Sequence, residues 1–341
     1  MLIQGRSGQG KTYFIQRILK ELSNQGIPSI IIDYTDGFKK SKLEDAFKES
    51  LGDKIDQHLV LIEKFPLNPF KRNLIELDDE LYPENNVSVA GRFKSVVNSV
   101  YNFGDQQLNT IYNAVLRGLD KYGENMDLSN LKTELLEEDT NTAISVLNKL
   151  SELLDINPFE SNEFDWSNIL DESDGKVLII QLTGLSKDIQ KVISELILWD
   201  LWYYKASSGS EDKPFIVVLD EAHNLDFGAD SPCSKILLEG RKFGWSGWFA
   251  TQSIKGSMKP DEIAKLANAE EKIFFHPTDV SAIAKDLSKD AEDRKRYEKE
   301  LSQLNKGYCI VQGTTIDSDG NLYHPNPLTV KIEEINFEKE D

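Results

Sequence analysis

Gly5-Arg6-Ser7-Gly8-Gln9-Gly10-Lys11-Thr12 follows directly on the apolar start Met1-Leu2-Ile3. The spacing is G-x-x-x-x-G-K-[S/T], the phosphate loop that joins a strand to a helix. Its glycines let the backbone curl until successive N–H groups point inward at phosphate oxygens. Lys11 then reaches the β- and γ-phosphates, and the Thr12 hydroxyl offers an oxygen ligand to Mg²⁺. The helix expected from Thr12 to about Ser23 turns its positive end toward the same anion. Gly5, Gly8, Gln9, Gly10, Lys11, Thr12 and Tyr13 are the candidate nucleotide-binding residues, with ATP and Mg²⁺ as the implied cofactors.

A second signal stands far along the chain. Phe215-Ile216-Val217-Val218-Leu219-Asp220-Glu221 is an apolar run ending in two acids, the Walker B pattern of a buried strand with carboxylates at its tip. Asp220 suits Mg²⁺, a hard cation that prefers oxygen ligands and gives up water reluctantly. Glu221, one residue on, suits the polarisation of a water that attacks the γ-phosphate. Gly247-Trp248-Phe249-Ala250-Thr251-Gln252 reads as a strand ending in polar residues. Gln252 fits either a γ-phosphate sensor or a support for the following turn.

Composition bounds what surrounds these motifs. The chain has 341 residues, 39% apolar and 28% charged, enough for one large α/β domain or two smaller ones. No apolar run approaches the ~20 residues of a membrane-spanning helix, so no membrane partner is expected and the expected location is the cytoplasm. Against 39 basic residues stand 58 acidic ones, a net charge of −19 that argues against a broadly basic nucleic-acid surface. It leaves room for DNA contact through a few loops. Cys233 and Cys309 are too few for a disulfide framework, and the four histidines lack metal-ligand spacing. Only four residues precede the first glycine of the loop, so we expect the natural protein to be longer.

Along the chain, Ser29-Ile30-Ile31-Ile32-Asp33 reads as a buried parallel strand. Asp33 at its end fits a turn cap and a site acid equally. A helix is expected over Lys39 to Leu51, a strand over His58–Ile62 and a loop over 71–86. From about Val87 to Leu154 helical periodicity takes over, with Gly104 and Gly123 between helices and Gly118 awkwardly inside one. The strand Lys176–Leu182 and a helix from Lys187 to about Ser207 bring back the α/β texture. Helices are expected over Ser234–Phe243, 261–268, 278–288 and Arg294–Leu304, with strands Lys272–His276, Tyr308–Gln312 and Leu328–Ile332. The division is 1–86 and 155–335 as two parts of one core, 87–154 as a helical insertion, and 336–341 as an acidic tail.

These motifs, taken in order, resemble the hexameric motor ATPases of the HerA/FtsK class, with the conjugation and type IV secretion ATPases. The resemblance spans about residues 2–332. It is carried by the phosphate loop, Ile31-Ile32-Asp33 with Asp36-Gly37, Leu67-Asn68-Pro69-Phe70, and Leu219-Asp220-Glu221-Ala222-His223. Its most specific part is Glu239-Gly240-Arg241-Lys242-Phe243-Gly244 leading to Ala250-Thr251-Gln252-Ser253. The resemblance implies a RecA-like core with a parallel-rich central sheet and an all-helical insertion. It further implies Gln252 as the polar sensor, Arg241 as an arginine finger acting on a neighbouring subunit's nucleotide, and Asp33 as an accessory acid. The catalytic set is then Lys11, Glu221, Arg241 and Gln252, and the metal set Thr12 and Asp220. The implied function is that of an ATP-driven DNA translocase or helicase-type motor, a homo-oligomeric (hexameric) ring on double-stranded DNA, with Lys255-Gly256-Ser257-Met258-Lys259 as a candidate backbone contact. Motors of this class usually carry a further region ahead of the phosphate loop, and a subgroup serves bacterial defence. The competing reading is an ATP-driven switch or assembly module that recruits effector proteins, such as a nuclease, without translocation.

Overall fold

The computed structural model describes residues 1–335 except 79, 161–163, 173, 253–257 and 318. The acidic tail and the segment Ser253 to Ser257, including Lys255, lie outside the described residues.

One nine-stranded sheet organises the chain. Its strands are β1 (Leu2–Gln4), β2 (Ser29–Asp33), β3 (Ile55–Leu59), β4 (Val177–Gln181), β5 (Phe215–Leu219), β6 (Trp245–Thr251), β7 (Lys272–Phe274), β8 (Tyr308–Gln312) and β9 (Leu328–Lys331). The order is β9-β8-β7-β1-β6-β5-β2-β4-β3. Every pairing from β7 to β3 is parallel, and β8 and β9 join antiparallel at one edge.

The isoleucine-rich strands explain this layering. Side chains alternate across a strand, so a run that is apolar at every position needs cover on both faces. Ile30 and Ile32 of β2, with Leu178 and Ile180 of β4 and Val217 and Leu219 of β5, enter the larger core. Ile31, Val177, Ile179, Ile216 and Val218 point the other way, against Ile15 and Leu19 of helix α1 (Lys11–Asn24). All these residues are buried.

After α1 come α2 (Asp45–Leu51), then α3 (Asn86–Tyr101), α4 (Asp105–Tyr122), α5 (Leu128–Glu138) and α6 (Asn141–Ile156) as consecutive helices. Following the short α7 (Ser167–Leu170), the 22-residue α8 (Lys187–Ser208) packs on α3, on α9 (Pro232–Glu239) and on the strand Leu74–Leu77, and shares the larger core with β2, β4 and β5. A buried ion pair fastens the helices to the core: Arg92 of α3 pairs with Glu84, and Tyr203 of α8 donates to Glu84 Oε1 at 3.1 Å. Arg92 also donates to the Lys71 carbonyl at 2.7 Å, so the buried charges keep hydrogen-bond partners, without which burial would be costly. Gly118 inside α4 has a packing reason, since a Cβ there would lie 2.5 Å from Met126 Cε.

Three expectations are corrected. Residues 39–51 do not form one helix; a short 3-10 turn (Lys40–Lys42) and α2 are separated by extended Leu43, and the Glu44 N–H donates to Gln16 Oε1 at 2.9 Å instead of continuing a helix. The third strand begins upstream of His58, because its parallel register sets Ile55 opposite Val177 and Leu59 opposite Gln181. Ile62 is left 80% exposed past its end. Residues 71–86 contain a hairpin, Leu74–Leu77 with Glu80–Pro83, closed by Glu84 accepting from the Asn73 N–H at 3.0 Å.

Candidate nucleotide site

The site forms where β1, β2, β5 and β6 end. Ligands of open parallel sheets gather at this carboxyl edge, and the chain reversals there expose short polar turns. Gly8 and Gly10 adopt φ +75° and +110°, a left-handed conformation that glycine takes without strain. Gly5 is required for another reason: a Cβ would sit 2.5 Å from Phe275 Cβ. The Gly5 N–H donates to the Thr251 carbonyl and the Arg6 N–H to His276, so neighbouring strands anchor the loop.

A cavity of about 490 Å³ opens in front of the loop. Gly8, Gly10, Lys11, Thr12 and Tyr13 line it, together with Asp220, Glu221 and Gln252. Neither Gly5, which packs against Phe275, nor Gln9 is among the lining residues. Lys11 Nζ donates to the carbonyls of Gly5 at 2.6 Å and Arg6 at 3.1 Å. Burial lowers its pKa, while Glu221 and Asp220 pull the other way. The Tyr13 hydroxyl accepts from the Ile335 N–H at 2.7 Å, which ties α1 to the end of the described chain.

Asp220 is crowded by acids. Burial first, then the charges of Asp33 and Glu221, push its pKa up to about 7, against the Thr35 hydroxyl, which donates to Asp220 Oδ2 at 3.0 Å. A cation beside such a carboxylate favours its ionised form, and Lys11 already pulls in that direction. Asp33 is fully buried and accepts from the N–H groups of Thr35, Asp36 and Phe38 and from Gln181 Nε2. Its geometry is that of a turn cap, and it acts on the cavity through its charge.

Glu221 has φ +50°, a left-handed conformation uncommon for a residue with a side chain. Gln252 Nε2 donates to its Oε1 at 2.7 Å, and His223 Nδ1 lies 3.2 Å from its Oε2. Arg241 is elsewhere. Its Nε donates to Glu211 Oε1 at 2.7 Å, and its side chain is 87% exposed. Both residues precede the starts of β6 and β5, on the sheet edge opposite the phosphate loop. The seven residues of β6 alone put about 20 Å between the two edges.

The sequence motifs did not assign roles to Thr35, His223 or Lys306, which also lines the cavity. Thr35 stands two residues after the end of β2, and His223 lies inside Leu219–His223, so position relative to a strand tip was a usable signal for both. Lys306 is brought in from the far end of the chain by β8, and no local pattern marks it. Among the described residues, no group of three or more His, Cys, Asp or Glu could hold a metal, and no helix is long and apolar enough to cross a membrane.

Residues 1–201 match the family described as the helicase HerA central domain. The chain belongs to that family. HerA-family membership makes it a phosphate-loop ATPase of the HerA/FtsK class. No curated protein matches the sequence. Among solved structures, VirB4 of Thermoanaerobacter pseudethanolicus superposes with a TM-score of 0.71 at 16% identity, covering 98% of this chain and 89% of that one. The bacterial conjugative coupling protein TrwBΔN70 in its unbound form gives 0.65 at 14% identity, with 97% and 84% covered. TrwB in complex with ADP and Mg²⁺ gives 0.61 at 13% identity, with 100% and 86% covered. At these identities the likeness is one of fold, a RecA-like core.

Proposed function

We propose that this chain hydrolyses ATP with Mg²⁺ at subunit interfaces of a hexameric ring and uses the cycle to move along double-stranded DNA. The observation that carries this reading is the convergence of Lys11, Thr12, Asp220, Glu221 and Gln252 on one cavity. Membership of the HerA family and the fold shared with TrwB, whose structure holds ADP and Mg²⁺, support it.

The N–H groups of the Gly8–Gly10 turn bind phosphate oxygens, and Lys11 exchanges its two carbonyl partners for the β- and γ-phosphates. Thr12 and Asp220 fit Mg²⁺, being oxygen donors that both line the cavity, one of them an acid whose raised pKa falls when a cation arrives. The ion would supply charge neutralisation at the phosphates. Glu221 takes the proton of the attacking water, and Gln252 orients that water while fixing the Glu221 carboxylate. Arg241 is too far from its own site, and its exposure suits insertion into a neighbour's, where a planar fork can match the γ-phosphate oxygens. Lys259, 79% exposed, is a candidate for sequence-blind phosphate contact.

The test is ATPase rate with and without duplex DNA, alongside solution mass. Stimulation by DNA that falls steeply with salt, from a ring-sized particle, is the expected outcome. Glu221→Gln should cut hydrolysis at least about 100-fold, as loss of a general base does, while retaining ATP binding. The net charge of −19 favours a second reading, a nucleotide switch that recruits effector proteins such as a nuclease. Under that reading the Glu221→Gln protein holds its partner permanently when ATP-bound, and DNA leaves the ATPase rate unchanged.

A further inference from the structure

The turn after β5 holds a histidine that the scheme above does not use. Glu221 stands in a left-handed conformation, so its carboxylate approaches the cavity from an unusual backbone direction and depends on side-chain partners for its aim. Each oxygen has its own neighbour: Gln252 Nε2 at 2.7 Å from Oε1, and His223 Nδ1 at 3.2 Å from Oε2. The same Nδ1 lies 3.2 Å from Thr251 Oγ1, on the residue before Gln252. His223 therefore stands between the tips of β5 and β6, touching the strand that carries the sensor and the acid that the sensor holds.

We propose that His223 is the positioning residue for Glu221, fixing the plane of its carboxylate jointly with Gln252. The inference rests on the reading of Glu221 as the base for water. In this structure Nδ1 is hydrogen-bonded to Thr251 Oγ1, and Oε2, 3.2 Å away, is buried without a hydrogen bond of its own among the described residues. A small turn of a neutral ring carrying its proton on Nδ1 moves that bond from Thr251 to Oε2 and leaves the oxygen's remaining lone pair for the water. Burial lowers the His223 pKa, and the lysines Lys187 and Lys191 lower it further, against the pull of Glu221, which suits the neutral ring. Gln252 already holds Oε1, and the imidazole stands ready at Oε2. A carboxylate fixed at both oxygens loses little freedom as the water is deprotonated, which is how oriented groups contribute to rate. His223 is also well placed to respond to its surroundings. It borders the 420 Å³ space around Glu221 and Gln252 and, on its other side, a polar cleft of about 730 Å³ against α3.

The turn itself does not rely on the imidazole. The backbone N–H and the Nδ2 of Asn224 both donate to the Glu221 carbonyl, at 2.9 and 3.1 Å. His223→Ala should therefore fold. ATP turnover by the full chain is measured for wild type, His223→Ala, His223→Asn and Glu221→Gln, with thermal melting and nucleotide affinity alongside. In His223→Ala, kcat should fall about tenfold or more, the scale on which orienting partners act. KM for ATP should stay within about twofold, because ground-state binding is untouched. His223→Asn, whose amide nitrogen reaches the place of Nδ1, should recover much of the loss. Unchanged kcat in His223→Ala while Glu221→Gln is inactive overturns the positioning role and spares the base. An equal deficit in His223→Asn and His223→Ala, or a KM rise with constant kcat, also overturns it. A fully active Glu221→Gln protein overturns the reading of the base itself, and this inference with it.

Discussion

Glu195 on α8 is buried, and its Oε1 accepts from the Asp226 N–H at 2.8 Å. Burial raises its pKa from the ordinary 4.5 to about 8, with the Asp226 charge adding to the rise. A carboxyl whose folded pKa lies above its unfolded value contributes stability that is full below the unfolded value. That stability is lost as pH climbs through the folded one. The window here runs from about 4.5 to about 8. Glu195→Gln keeps an acceptor for Asp226 and cannot ionise, so it should match wild type near the bottom of that window and exceed it at the top. The advantage at high pH should be on the order of a few kcal/mol, since one pKa unit is worth about 1.4 kcal/mol. Urea denaturation of both proteins across the window checks this, and a constant gap at all pH values would refute it. At this same scale, Asp33 shows how a fully buried acid can shape a site without entering it. Its oxygens are spent on the turn, and what reaches Asp220 is its charge.

Elements hold their places by caps and registers. Helix α5 opens with a reciprocal pair: Asp127 Oδ1 accepts from the Asn130 N–H at 2.8 Å, and Asn130 Oδ1 accepts from the Asp127 N–H at 3.0 Å. Both bonds satisfy donors that helix geometry leaves orphaned. Asp127→Ala should cost about 1 kcal/mol of stability, as removal of such caps does. Denaturant titration would show it, with the slope unchanged if the bundle unfolds together with the sheet. The four helices α3–α6 were legible in the sequence because period and stop signals agree: Val89, Phe93, Val96 and Val97 share a face, and Gly104 and Gly123 stand at helix boundaries. Strand β3 was not legible to the residue. The apolar run Leu59–Ile62 suggested a strand centred downstream, whereas pairing with β4 selected Ile55–Leu59. An edge strand is placed by its neighbour's register, and that neighbour is far away in sequence.

At the scale of the molecule, the nucleotide cavity and Arg241 lie on opposite edges of the sheet. A surface carrying one and a surface carrying the other can meet heterologously, head to tail, which generates a ring when the rotation closes. This makes the Arg241 role testable by mixing. Glu221→Gln and Arg241→Ala should each be nearly inactive alone. Mixed equally and allowed to exchange subunits, they should regain about a quarter of wild-type activity, because random neighbours restore an intact acid and an intact arginine at that fraction of interfaces. No recovery after demonstrated exchange would place Arg241 outside its neighbour's site.

The sequence by itself determined the parts of this protein whose chemistry is local. A phosphate loop is a contiguous stretch whose glycines and lysine must be adjacent to work, and the apolar run into Asp220-Glu221 needs only a buried strand. Those motifs specify an ATPase core, and the uniformly apolar strands specify a sheet covered on both faces. Tertiary structure alone decided what depends on chain segments meeting. It set Thr35 against Asp220, and it bridged Glu221 to Gln252 and His223. It brought Lys306 to the cavity, and it folded residues 71–86 into a hairpin around the Glu84–Arg92 pair. The physical reason is range. Backbone conformation and hydrophobic period are written within a few residues, whereas hydrogen bonds between strand tips exist only after the sheet order has been chosen.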